Sequence, residues 1–165
     1  MTDLELTVVE ADLSDPNHQR TTLDLLNAYA CDVMGDGKPL AAEARENLIP
    51  GLRTHPTTLV FLAFQGVDAV GLAICFRGFS TFAARPLVNV SDYFVVPSRR
   101  GLGVGRRLME AIEGRARELG CCKLTLEVQE NNLRAQHRVY EAAGFAQAVY
   151  VAEAGGSLFL TKPLK

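Results

Sequence analysis

The sequence predicts a single α/β domain: a mixed, mostly antiparallel sheet flanked by about four helices. Three observations predict it. The hydrophobic pattern changes from helical spacing to near-continuous apolar runs at Thr58. The elements then alternate as strand, two helices, three strands, helix, strand, helix and two strands, the order of an α/β architecture. No repeat, low-complexity tract or linker interrupts the 165 residues, a length that fits one ordinary domain.

Each element follows from its own residues. LTVVEA (Leu6 to Ala11) reads as a first strand. Asp15 is a candidate N-cap with Pro16 in the first helical position, and Leu23, Leu26, Ala30 and Val33 recur at helical spacing. GDGKP stops that helix at Gly35. A second helix is expected from about Leu40 to Leu52, in two pieces around Pro50-Gly51. TLVFLAF, AVGLAICFR and LVNVSDYFVV are the next three strands, separated by the turn QGVD and the loop GFSTFAARP. In the third of these, Val90, Asp92, Phe94 and Val96 share one face, and Asn89, Ser91, Tyr93 and Val95 the other. A helix then runs to about Leu119 and stops at Gly120. CKLTLEVQ is a strand, LRAQHRVYEAAG a helix, and FAQAVYVAE and SLFLTKPL are two closing strands around Gly155-Gly156.

The totals narrow the function. Lys+Arg 17 against Asp+Glu 19 leaves a net charge of −2, which argues against a nucleic-acid module. No apolar run approaches the roughly 20 residues of a membrane span. The N-terminus has acids and no basic segment before an apolar block, so no secretory signal is read there and a cytoplasmic location is expected. Cys31, Cys75, Cys121 and Cys122 lack zinc-site spacing. They read as reduced, mostly buried thiols, and no metal is expected.

VVPSRRGLGVGRRLMEA, between a strand and a helix, carries the chemistry. Gly101, Gly103 and Gly105 alternate there between arginines. Glycines let backbone N–H groups approach an anion, and a helix N-terminus adds free donors and positive dipole. The spacing is not the G-x-G-x-x-G of a dinucleotide fingerprint, and Gly105-Arg106-Arg107 is not the end of a Walker loop.

The segment R-G-x-G-x-G, with Val95 and Pro97 before it, resembles the acyl-CoA-binding loop of the GCN5-related N-acetyltransferases (GNAT). A second signature follows in order: Leu126, Glu127, Val128, Asn132, Ala135, Tyr140, Gly144 and Phe145. The resemblance covers about residues 88–159. It implies an acetyl-CoA-dependent N-acetyltransferase that moves an acetyl group to a primary amine by direct attack in a ternary complex. It further implies that Arg100, Gly101, Leu102, Gly103, Val104, Gly105 and Arg106 hold the CoA pyrophosphate, with Arg99 nearby. Tyr93, Phe94 and Val95 would line the pantetheine arm, and Asn132 would bind the arm or the nucleotide end.

Acetylation also needs an acid for the leaving thiolate and a base for the amine. By resemblance Tyr140 is the acid, although it stands eight residues after Asn132 and five after Ala135, one more than the family spacing. One extra residue turns a helical side chain by about 100°. A bulge or a later helix start must absorb it, or His137 becomes the rival acid. Asp92 and Glu127 are the candidate bases, both expected at interior strand positions where a lone charge is costly; Glu127 is slightly favoured for contact with the amine.

A small-molecule amine is expected as acceptor because GFSTFAARP is long enough to close a peptide groove. Phe79 and Phe82 are candidates either to wall the acceptor pocket or to cover the core. Asp24, Asp32, Asp36, Glu43 and Glu46 would give an acidic rim for a cationic amine. The FRGFSTF…NVSD layout resembles the diamine and polyamine acetyltransferase branch. Protein or peptide acetylation and a non-catalytic CoA sensor are the alternatives. A homodimer through the two closing strands is expected.

Overall fold

The structure, a computed structural model, describes residues 5–164. Met1 to Leu4, which belong to the N-terminal segment read above for a signal, lie outside them. Two units make up the chain, one ending at Leu126 and one beginning at Glu127.

The first unit contains β1 (Leu6–Glu10), α1 (Pro16–Cys31), α2 (Ala42–Thr54), β2 (Thr58–Gln65), β3 (Asp68–Ser80), β4 (Arg85–Val95), α3 (Val104–Glu118) and β5 (Leu124–Leu126). The strands pair in chain order; β4–β5 is parallel and the other three pairings are antiparallel. Asp15 caps α1 by accepting from the Asn17 N–H at 2.7 Å. Gly66, at φ +62°, makes the tight turn between β2 and β3.

α1 and α2 cover one face of the sheet. Leu25 and Leu52 pack there with Val60, Leu62, Leu72, Ile74 and Phe94. The buried stripe of α1 is Thr22 and Leu25, joined by the partly buried Leu26 and Tyr29, and Val33 is 82% exposed beyond the helix. Helical spacing fits several neighbouring stripes of a short helix, and the sheet selects one. α2 runs unbroken through Pro50. Proline there forfeits one bond, to the Glu46 carbonyl, and Glu46 is exposed so water can serve that carbonyl. α3 packs on the sheet, with Leu108, Met109 and Ile112 buried. A Cβ on Gly71 would stand 2.9 Å from Leu108 Cδ1 and 3.0 Å from Val104 Cγ1, so glycine lets α3 approach β3.

Two strand expectations need correction within this unit. GFSTFAARP is not a free loop, because β3 and β4 extend through Ser80 and from Arg85 and leave only a tight turn. β5 stops at Leu126 rather than running to Gln129.

In the second unit, α4 (Leu133–Ala135) continues as a π turn, Gln136–Tyr140, and a 3-10 turn, Glu141–Ala143. Gly144, at φ +88°, ends it as expected. The two closing strands are not formed; among the described residues after Gly144 the one regular element is a 3-10 turn, Ala152–Ala154. A strand exists only through its ladder. Alternation supplies faces, but here Ser157 spans the turn, its N–H and Oγ both donating to the Ala148 carbonyl, at 3.1 and 3.2 Å. Val149, Val151, Leu158, Phe159 and Leu160 are all exposed.

Candidate active site

The glycine segment leaves β4 through a 3-10 turn, Pro97–Arg99, and opens α3. Gly101 and Gly103 are left-handed, at φ +82° and +87°. Gly103 is the N-cap, and α3 has no side-chain cap bond and no acid in its first turn. The first intrahelical bond is Arg107 N–H to the Gly103 carbonyl, 3.1 Å. The N–H groups of Val104, Gly105 and Arg106 therefore precede the ladder at the positive end of the helix. Tyr93 donates its hydroxyl to the Gly105 carbonyl and pins that first turn to β4. Val104 is buried and Leu102 exposed, and Arg106 pairs with Glu110 at 3.6 Å. A Cβ at Gly103 meets nothing within 4 Å, so its requirement is conformational. We expect Gly103→Ala to destabilise the fold by about 1–2 kcal/mol, read by thermal melting.

β4 outruns β5. The parallel ladder ends at Val90 with Leu126, whereas β4 continues to Val95. The register to β3 also shifts here, from Cys75 opposite Val90 to Ile74 opposite Asp92, leaving Ser91 as a bulge. The bulge corrects the alternation expected for this strand. Val90 pairs with Cys75, while Asp92 and Phe94 pair with Ile74 and Leu72, whose side chains lie on the α1–α2 face. Asp92 is thereby turned to the helical layer. Burial raises its pKa above the ordinary carboxylate range. Burial also raises the Tyr29 phenol, with further pushes from Asp92, Asp32 and Asp36. The Cys75 thiol is raised to about 12, by burial and then by Asp92.

Phe94 is buried and stacks on Tyr29, ring centroids 5.7 Å apart, so its side chain belongs to the core. The Arg100 guanidinium lies 5.7 Å from the Phe94 ring. Its Nε donates to the Val95 carbonyl at 2.9 Å and its Nη2 to Asp32 Oδ2 at 2.6 Å. Asp32 is therefore an internal partner rather than part of an acidic rim, a role its place in a helical charge pattern does not signal. Burial pushes its pKa up, but the Met34 N–H and Arg100 outweigh that and hold it below the usual value. Asp24, Asp36, Glu43 and Glu46 are exposed.

In the second unit, Asn132 caps α4 by accepting from the Ala135 N–H at 3.3 Å. Glu127 is exposed and lies just past β5, not at the interior strand position expected of it. Tyr140 is buried, its ring edge-on to Phe145 at 6.0 Å. The π turn that ends at Tyr140 takes up one residue more than an α turn, which is the excess in the spacing. His137, the rival acid, is exposed and bonded to Glu141 at 2.9 Å.

The acceptor loop is also corrected. Phe79 and Phe82 are 62% and 97% exposed, so neither covers the core. Pro86, paired with Phe79, stands six residues before Asp92, about 20 Å along the strand. The hairpin tip is thus at the far end of β4 from the glycines and does not wall a pocket beside them. Of the four cysteines only Cys75 is fully buried, and Cys31 is exposed.

A β4 that outruns β5 and leads into a glycine-opened helix, on a sheet of this order, defines the fold of the GNAT-type N-acetyltransferases. The chain belongs to the acetyltransferase (GNAT) family, whose family model matches residues 23–145. It is similar to the thialysine N-epsilon-acetyltransferase of Bos taurus, with 34% identity over 80 residues, 48% of this chain and 46% of that one. It is also similar to the streptothricin acetyltransferase of Streptomyces lavendulae, with 39% identity over 83 residues, 50% of this chain and 43% of that one. The match thus spans less than half the length of these two relatives. A crystal structure described as a probable acetyltransferase shares the fold, with a TM-score of 0.78 at 19% identity over 96% of this chain and 98% of the other. Among the described residues no helix is long and apolar enough to cross a membrane.

Proposed function

We propose that the chain is an acetyl-CoA-dependent N-acetyltransferase acting on a primary amine of a small molecule, by direct attack in a ternary complex. The observation that carries this reading is the continuation of β4 past β5 into the uncapped, glycine-opened start of α3. An extended arm can add along a strand edge, and a pyrophosphate suits the amides of a helix N-terminus that has no side-chain cap bond. The residues present fit that ligand: Gly101 and Gly103 hold the turn, the segment from Arg100 to Arg106 offers backbone donors, and Tyr93, Phe94 and Val95 offer the strand. Asn132 joins them by the family signature.

Acetyl-CoA would supply the activated acetyl group. Asp92 takes the proton of the incoming ammonium, directly or through water, and its burial makes it a stronger base than an exposed carboxylate. Glu127 is the second carboxylate, held for contact with the amine. Tyr140 gives a proton to the departing thiolate. The small-molecule acceptor is supported by the names of the two relatives, which specify thialysine and streptothricin. The proposal includes a homodimer, supported by the exposed apolar residues after Gly144, and a cytoplasmic location.

The test is free-thiol release from acetyl-CoA across polyamines, amino acids, aminoglycosides and N-terminal peptides. Turnover confined to one small-amine class is expected. Turnover on peptides alone would replace the acceptor, and tight acetyl-CoA binding without turnover on any amine would favour a sensor.

A further inference from the structure

Asp32 breaks a local rule. It is the C-cap of α1, where the helix presents its negative end and an anion is disfavoured. Its side chain is 8% exposed, so solvent does little to relieve that charge. The Met34 N–H donates to its Oδ1 at 3.0 Å, and its Oδ2 is held by a residue distant in sequence. The distant partner is Arg100, sixty-eight positions away, the residue that enters the left-handed Gly101.

Arg100 is fixed by three contacts at once. Nη2 meets Asp32, Nε meets the Val95 carbonyl, and the guanidinium lies over Phe94, which in turn stacks on Tyr29. Tyr29 and Asp32 are one helical turn apart, and the Asp32 N–H donates to the Tyr29 carbonyl at 2.9 Å. The last turn of α1, the end of β4 and the entrance to the glycine loop are thus joined through one side chain. The same turn of α1 packs on the sheet face to which the bulge at Ser91 turns Asp92.

We propose that Asp32 is a positioning residue: through Arg100 it sets the entrance of the glycine loop and couples it to the end of α1 beside Asp92. The Arg100 side chain then serves as an anchor within the protein, and its backbone faces the ligand. The coupling is reciprocal, so a change at the end of α1 alters acetyl-CoA affinity and a filled loop alters the surroundings of Asp92. This rests on the acetyl-CoA reading above.

The sign of one measurement separates positioning from simple charge. Asp32→Asn removes a negative charge close to the loop, which by electrostatics alone strengthens binding of an anionic ligand. Positioning demands the opposite. We expect acetyl-CoA Kd, by calorimetry on the full chain, to rise about tenfold in Asp32→Asn. Arg100→Gln, which also loses the contacts with Val95 and Phe94, should weaken binding at least as much, and the double variant should be no worse than Arg100→Gln alone, because Asp32 acts through Arg100. Arg100→Lys keeps the charge but loses the fork and should also weaken binding, which provides the test if Asp32→Asn does not fold. Unchanged or tighter binding in Asp32→Asn, with wild-type binding intact, overturns the proposal alone, as do additive effects in the double variant. No acetyl-CoA binding by the wild type overturns the parent reading and this proposal with it.

Discussion

Replacing Asp92 with asparagine is expected to lower kcat by about 100-fold or more while leaving the protein at least as stable at neutral pH. The two effects share one cause. Burial raises the Asp92 pKa, so the folded chain holds its proton at pH values where the unfolded chain has lost it. Across the window from the ordinary carboxylate value up to the raised one, the native state binds more protons than the unfolded state. Stability therefore falls as pH rises through that window, and above it the ionised carboxylate is a standing penalty. Asparagine removes the penalty along with the carboxylate. Thermal melts against pH should show a flatter profile for the variant, and steady-state assays should show the loss in kcat. Full activity in Asp92→Asn would remove it as the base and leave Glu127 or a water chain.

Tyr140→Phe is expected to reduce kcat by about 100-fold with little change in Tm or in the KM for acetyl-CoA. Phenylalanine keeps the buried ring and its edge contact with Phe145 and loses only the hydroxyl. A proton donor acts at the departure of the thiolate rather than in binding, so the loss belongs in kcat. An equal fall in Tm and activity would instead make Tyr140 a packing residue. Unchanged kcat would pass the role to His137 or to solvent.

Much of the site could be read without coordinates because its requirements are local. The left-handed turns at Gly101 and Gly103 favour glycine for a local reason, and their order with Arg100 is read directly from the chain. Asp15-Pro16 and Gly120 bound their helices as expected because caps act within one turn. Asn132 and Tyr140 were legible as a signature, and the excess residue between them as an inconsistency. That a π turn resolves it could not be read, since several local rearrangements absorb one residue equally well.

The contacts were not legible. Glu127 and Asp92 look alike as carboxylates in apolar strands, yet β5 ends before Glu127, whereas the β4 bulge turns a half-buried Asp92 to the α1–α2 face. The closing strands had the right alternation but lack a ladder.

By itself, then, the sequence determined the α/β order as far as Gly144, the family and the glycine-opened helix, because periodicity, caps and left-handed glycines depend on neighbours a few residues away. Only the tertiary structure decided which face Asp92 occupies, where β4 leaves β5 and what Arg100 holds. A bulge changes strand parity without marking the composition. An ion pair between Asp32 and Arg100 joins residues that no local pattern connects.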